Sequence, residues 1–267
     1  MSESDGGSGR PPARTALGDE LRVFALRGIP ELRDGDDLGA LIAAAVARAG
    51  GLADGDVIVV AQKAVSKVEG RVVALAEIEA SPQAVEIATS GEQQEDPRRI
   101  QAILDESAEV VRVRPPLVIA ETRHGFVCAS AGVDASNTGG QELLVLLPLD
   151  PDASARALRD RLRELTGRIV GVIVSDSFGR AWRTGTTDVA IGCAGIRPLV
   201  DWHGHRDADG YLLHATMIAS ADEIAGAAEL VRGKLDAAPV AVVRGLDVAG
   251  DGTARELVMP RERDLFR

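Results

Sequence analysis

Val172-Ile-Val-Ser-Asp-Ser-Phe-Gly-Arg-Ala-Trp-Arg-Thr-Gly-Thr-Thr-Asp-Val-Ala-Ile-Gly192 is the stretch on which the rest of the chain hangs. It opens within an apolar, β-branched run over residues 169–174, the composition of a buried strand. The run stops at Ser175, Asp176 and Ser177, which puts Asp176 at a strand end, within reach of a metal or a phosphate-bound cation. Gly179 and Gly185 permit sharp turns. Arg180 and Arg183 bring forked cationic donors beside Asp176, and a second acid, Asp188, opens another short apolar run. The same string also reads as a turn with a surface ion pair. A second acid-bearing loop, around Asp134, tips the balance towards a site.

The 267 residues are enough for one large or two smaller domains with a true core. Aromatic residues make up only 3%, so Val, Leu, Ile and Ala must fill that core. A formal charge of −11 argues against non-specific nucleic-acid or anionic-membrane binding. It leaves room for an anionic small substrate, because arginines or metal ions can reverse the field in a cleft. Cys128 and Cys193 lie far apart in apolar segments and read as buried free thiols of a cytoplasmic protein. No apolar run is long enough to span a membrane, and the N-terminus lacks a signal-peptide core.

Residues 1–19 are rich in Ser, Gly, Pro, Arg and acids and are expected to be disordered, with the folded domain over residues 20–267. Residues 21–26 predict a first strand, leading into a loop at Arg27-Gly-Ile-Pro-Glu31. Asp36 or Asp37 caps a helix whose apolar face is Leu38, Leu41, Ile42, Ala45 and Val46. A strand over 56–60 runs straight into Gln62, Lys63, Ser66 and Lys67, a set suited to an anion or equally to a polar sheet edge. Pro82 and Pro97 open two helices. Strands at 110–113 and 117–121, then a turn at Arg123-His-Gly125, lead to Phe126-Val-Cys128.

The loop Ala131-Gly-Val-Asp-Ala-Ser-Asn-Thr-Gly-Gly140 carries Asp134 and Asn137 among glycines that let a backbone approach a ligand closely. Taken alone, Asp and Asn among glycines are more often just a turn. Residues 143–147 predict a buried strand. Residues 152–166 predict an amphipathic helix with Ala155, Leu158, Leu162 and Leu165 on its face and Gly167 as its stop. Later come strands at 195–200 and 211–219, a polar loop with His203 and His205, and a capping box Ser220-Ala-Asp-Glu223. That box opens a helix with Ile224, Ala227, Ala228 and Val231 inward and Glu229 projecting elsewhere. A last buried strand spans 239–243, and the charged tail from residue 249 is expected to be irregular.

Lysines for phosphate, aspartates for a divalent cation and arginines for developing charge, each after an apolar strand, form a kit for phosphoryl transfer. There is no Walker A pattern, no G-x-G-x-x-G fingerprint and no Ser-His-Asp arrangement. The residues by themselves describe a metal-dependent enzyme acting on a phosphorylated ligand.

Six segments, in order, carry a resemblance: Gly28-Ile-Pro-Glu31, Gln62-Lys-Ala-Val-Ser-Lys-Val-Glu-Gly70, Gly132-Val-Asp-Ala-Ser-Asn137, Ser175-Asp-Ser-Phe-Gly-Arg180 with Trp182-Arg183, Thr187-Asp-Val-Ala-Ile-Gly192, and Ala221-Asp-Glu-Ile-Ala-Gly-Ala-Ala-Glu-Leu-Val231. Across residues 23–244 the chain resembles the coenzyme F420:L-glutamate ligases (F420-0:gamma-glutamyl ligases). It is most similar to the actinobacterial type, as a ligase module without the flavin-binding, nitroreductase-like domain that follows it in many such proteins. The resemblance implies an α/β fold (α+β, with mixed sheets) and an intertwined, butterfly-like homodimer. It implies GTP-dependent addition of L-glutamate to the F420 precursor, F420-0 and then F420-1, through an acyl phosphate, building a gamma-linked tail. It implies Mg²⁺ or Mn²⁺, with K⁺ as a further candidate.

By motif position, Gly28, Ile29, Pro30, Glu31, Gln62, Lys67, Asn137, Glu229 and Gly233 would meet GTP. Asp134, Asp176 and Ser177 would hold the metal, and Asp134, Asp176 and Arg180 would serve catalysis. Ser177 stands where relatives often carry Thr, and Thr138-Gly-Gly-Gln141 departs from an acid common in that loop. For Arg180, Arg183 and Asp188, substrate contacts and structural ion pairing both remain open. Two rivals follow from the same residues: a GTP- or deazaflavin-binding protein without ligase activity, and a metal-dependent phosphohydrolase.

Overall fold

A computed structural model describes residues 18–136 and 142–265. The expected tail at 1–19 therefore falls almost wholly outside the described residues, as does Asn137. The fold is mixed α/β with several sheets. In chain order the elements are β1 (Arg22–Leu26), α1 (Leu38–Arg48), β2 (Val57–Ala61), α2 (Gln62–Val68), β3 (Val72–Ala74), α3 (Pro82–Thr89), α4 (Pro97–Glu106), β4 (Ser107–Arg114), β5 (Leu117–Thr122), β6 (Val127–Ala129), β7 (Leu143–Val145), α5 (Pro151–Thr166), β8 (Gly171–Arg180), β9 (Arg183–Ala194), β10 (Val200–Asp201), β11 (Met217–Ile218), α6 (Ser220–Arg232) and β12 (Val240–Arg244).

The main sheet has the order β1-β12-β2-β8-β9, with β2 and β8 parallel and every other pairing antiparallel. Strand alternation divides its side chains between two cores. Ile58, Val60, Val172 and Val174 pack with α1 and α5. Val57, Val59, Ile173 and Val243 pack with α6. A third core joins α3 and α4 to β5 and β7, with Leu144 at its centre. Side-chain caps start the helices as their sequences predict: Asp37, Ser81, Asp96 and Asp150 each accept a first-turn backbone N–H. Gly167 ends α5 in the left-handed conformation.

Several expectations need correcting. β8 does not stop at Ser175; it continues to Arg180 and pairs with β9 along that whole length, so Asp176 lies mid-strand. The cross-strand partners of Ser175, Asp176 and Ser177 satisfy a backbone whose polar side chains suggested an exit from the sheet. The hairpin reverses at Ala181-Trp182, with Trp182 at positive φ, while Gly179 and Gly185 sit inside the strands. Residues 62–68 form a helix and not a sheet edge. The strand expected at 195–200 is confined to Val200–Asp201 plus an isolated bridge at Ile196, and that at 211–219 to Met217–Ile218 plus an isolated bridge at Leu212. Ser220 does not cap α6: its hydroxyl donates to the carbonyls of Arg197 and Pro198, and the cap position is Ala219. Leu165 and Ile169 are exposed rather than core.

Candidate active site

The parallel pair β2–β8 builds one wall of a cleft of about 620 Å³. Ala61, the last residue of β2, is in register with Ser175, so α2 leaves the sheet beside Asp176. Alternation then sorts the three polar residues of β8. Asp176 shares the face of Val172 and Val174. Ser175 and Ser177 share the face of Ile173, towards α6 and Asp188 of β9.

Asp134 arrives from a different layer. Its backbone N–H and carbonyl both pair with Val145 of β7, at 3.0 and 2.8 Å, which anchors the loop that carries it. Just upstream, Ser130, Ala131 and Gly132 are all at positive φ. Strained backbone of this kind persists where the surroundings over-determine it. A Cβ on Gly132 would lie 2.7 Å from Leu147 side-chain carbons, so glycine is required there.

The electrostatics of the two carboxylates are opposite. Burial pushes Asp134 up, but a hydrogen bond from Lys63, the Ser136 amide and the Lys63 charge outweigh it, and the carboxyl ends below its ordinary range. Burial drives Asp176 up to about 7; the negative charges of Asp134 and Asp188 add to this, against the Ser177 amide and Lys63. Two carboxylates close enough to repel, one of them short of positive partners, make an environment that a divalent cation relieves. Ser177, on the α6 face of the strand, lines the same cleft: its hydroxyl donates to Asp188 Oδ1 at 2.7 Å and accepts from Lys234 Nζ at 2.6 Å. Its proton is thereby directed away, leaving lone-pair density for a cation.

The donor set thus fits Mg²⁺ or Mn²⁺, hard cations that take one or two carboxylates and leave other positions to water and phosphate. Among the described residues no cluster of three or more His, Cys, Asp or Glu side chains forms a complete protein cage. Gln62 also faces the cleft; its side-chain oxygen accepts from Ser66, while its buried Nε2 has no hydrogen-bond partner among the described residues. That is a donor matched to an incoming acceptor.

Ile29, Pro30, Glu31, Lys67, Glu229 and Gly233 line the same cleft, together with Gln62, Asp134, Asp176 and Ser177. Gly28 precedes that wall, at positive φ, and its carbonyl accepts from Arg48. Asn137 is outside the described residues. Glu229 faces the cleft near Lys234 and Arg232, contrary to the expectation that it projects elsewhere.

Arg180 stands exposed at the tip of the β8–β9 hairpin, one residue beyond Gly179, the last β8 residue that lines the cleft. Arg183 is likewise exposed there. Asp188 is in an ion pair, but its partner is Arg232 of α6, buried as deeply as Asp188 itself. Arg232, Lys63 as the partner of Asp134, and Cys128 beside Asp176 are the cleft residues that sequence reasoning did not single out. Burial and the Asp176 charge push the Cys128 thiol up to about 12, so it stays protonated and unreactive.

A cleft holding paired acids, a ring of lysines and a close-approach backbone loop is the site of an enzyme that handles anionic substrates. The family profile described as F420-0:Gamma-glutamyl ligase matches residues 28–245. Proteins called coenzyme F420:L-glutamate ligase are similar over nearly their whole length. That of Methanothermobacter thermautotrophicus is 44% identical, covering 92% of this chain and 99% of the relative. Those of Methanopyrus kandleri (45% identical) and Archaeoglobus fulgidus (43%) each cover 92% of this chain, and 98% and 96% of their own lengths. The family match and these relatives place the chain in the ligase class of enzymes. The chain belongs to the F420-0:gamma-glutamyl ligase family. Among the described residues no helix is long and apolar enough to cross a membrane.

Proposed function

We propose that this chain joins L-glutamate to the coenzyme F420 precursor at the expense of GTP, and that the Asp134–Asp176 cleft is where it does so. The observation that carries the proposal is the pairing of two mutually repelling carboxylates from separate layers with Lys63, Lys67 and Lys234 around one cavity. Asp134, Asp176 and the Ser177 hydroxyl would hold Mg²⁺ or Mn²⁺. When bound, the cation supplies charge neutralisation between the triphosphate and the carboxylate that attacks it.

The precursor's terminal carboxylate oxygen attacks the γ-phosphorus of GTP, and GDP leaves. The acyl phosphate so formed replaces a poor oxide leaving group with phosphate. The α-amine of L-glutamate then attacks the carbonyl carbon, loses a proton and expels inorganic phosphate. F420-0 gives F420-1 in this way, and a second round on the γ-carboxylate of the glutamate already added extends a gamma-linked tail. Lys67 and Lys234, cations lining the cleft, are placed for phosphate oxygens, and Gln62 Nε2 offers a neutral donor. The backbone of Gly28, Ile29, Pro30 and Glu31 forms the opposite lip for the nucleotide, with Glu229 and Gly233 beside it and Asn137 proposed to join from its loop. K⁺ is part of the proposal only as a charge partner for phosphate. A homodimer belongs to it too, and light scattering of the purified chain tests that part.

Mass spectrometry of the deazaflavin precursor, after incubation with protein, GTP, L-glutamate and Mg²⁺ or Mn²⁺, tests the whole. Expected are mass steps of one glutamyl residue that vanish when any component is omitted. Phosphate release from GTP without glutamate would identify a phosphohydrolase instead. Binding of GTP or deazaflavin without any turnover would identify a binding protein.

A further inference from the structure

Lys63 is the second residue of α2, and the register of β2 with β8 fixes where that helix starts. Its ammonium lies 2.7 Å from Asp134 Oδ2 and 2.5 Å from Ser136 Oγ, and its charge also reaches Asp176. The contact is partly screened from water: the Lys63 side chain is 22% exposed and that of Asp134 37%. Lys67, one helical turn on, pairs instead with Glu31, whose side chain is 74% exposed. The two lysines are therefore in different positions. Lys67 is held by an exposed carboxylate outside the acid pair, whereas Lys63 is held by Asp134, one of the two cleft carboxylates.

A divalent ion bound to Asp134 Oδ2 at about 2.1 Å would lie within about 5 Å of the ammonium, where two cations repel. One of them must give way, and the lysine can, on a flexible four-carbon stem. A dication neutralises both carboxylates, which leaves the lysine charge in surplus and in need of an anionic oxygen.

We propose that Lys63 is the resident counter-cation of Asp134, that a divalent ion displaces it, and that the displaced ammonium moves onto a phosphate oxygen of the incoming nucleotide. This rests on the assignment of Asp134 and Asp176 as the cation pair. Metal and nucleotide then enter cooperatively: each removes an obstacle to the other, and the empty cleft holds metal weakly. Lys63 is a positioning residue for the metal before it is a ligand of the phosphate.

The test is Mn²⁺ binding to the metal-free, nucleotide-free protein, followed by the electron paramagnetic resonance signal of free Mn²⁺. Wild type, Lys63→Met, Lys63→Arg and Asp134→Asn are compared, with folding checked by circular dichroism. The expected result is Mn²⁺ affinity roughly tenfold higher in Lys63→Met than in wild type, with Lys63→Arg close to wild type and Asp134→Asn greatly weakened. Lys63→Met should also bind a fluorescent GTP analogue more weakly in the presence of Mg²⁺. Unchanged or weaker Mn²⁺ binding in Lys63→Met, with binding still lost in Asp134→Asn, overturns the displacement and leaves the cation pair standing. Mn²⁺ binding indifferent to Asp134→Asn, or absent from wild type and Lys63→Met alike, overturns both.

Discussion

Arg232, in the last turn of α6, pairs with Asp188 of β9 inside the protein, with side chains only 3% and 4% exposed. Asp188 also accepts hydrogen bonds from Ser175 Oγ at 2.9 Å and Ser177 Oγ at 2.7 Å. The pair therefore does two things: it ties α6 to the sheet and it sets the rotamer of Ser177 at the cleft. Arg232→Met leaves a buried carboxylate without its cation and should cost about 3–5 kcal/mol. The joint replacement Asp188→Leu with Arg232→Met should cost clearly less than the two single changes added together. Urea unfolding of the three variants measures this; additive costs would mean that the two residues act independently.

Asp176→Ala should abolish ligation while the fold survives, because the carboxylate faces a cleft and holds no ion pair that closes the core. The readout is glutamyl addition by mass spectrometry, beside a thermal melt. Wild-type turnover in a folded variant would remove Asp176 from the metal site.

Asp176 also predicts a pH signature in the metal-free protein. Its native carboxyl titrates near 7, well above the ordinary unfolded value of 3.8. Between those values the native state holds a proton that the unfolded state has released, so this group's contribution to stability falls as pH rises from 4 to 7 and is level above. Asp176→Asn should remove that slope, and at pH 8 it should be the more stable protein by roughly 1–2 kcal/mol, allowing for screening at a partly exposed group. Chemical denaturation at pH 5 and pH 8 decides it; a difference between wild type and variant that grows in the opposite direction refutes the assignment.

Arg180→Ala should leave glutamyl addition within about threefold of wild type, since Arg180 sits about 10 Å along the strand from Ser177, at 3.3 Å per residue. Steady-state kinetics settles the point. A loss beyond a hundredfold would place its guanidinium in a catalytic centre that a second copy of the chain completes.

The parts of the site that were legible in the sequence are those where chemistry and backbone need coincide. Asp134 stands with Asn137 among glycines, a pattern that alone is more often a turn and that gains meaning beside the acid-bearing β8 segment. Glu31 is marked by the family motif Gly28-Ile-Pro-Glu31 rather than by its own chemistry. Asp176 was found for a partly mistaken reason: three polar residues after Val174 look like the end of a strand, yet β9 supplies their partners and the strand goes on. Arg180 was drawn into the site by the same error, since a strand that stops would have folded it back. Arg232 left no signal, because an arginine in the last turn of a helix is what the helix dipole alone would favour. Its meaning depends on Asp188, and only the packing of α6 on β9 brings them together. Lys63 was visible as an anion ligand but not as the partner of Asp134, which approaches from another layer.

The parallel pairing of Ala61 with Ser175 sets which changes of chain length the molecule can absorb. Residues added or lost around Ala181 and Trp182 would change the length of the β8–β9 hairpin beyond Arg180 without altering the register of β8 on β2. Deleting one residue between Val174 and Asp176 would turn the carboxylate to the α6 side and a serine to the cation side. Insertions and deletions among natural variants should therefore be absent from the five residues, Gly171 to Ser175, that lie beside β2.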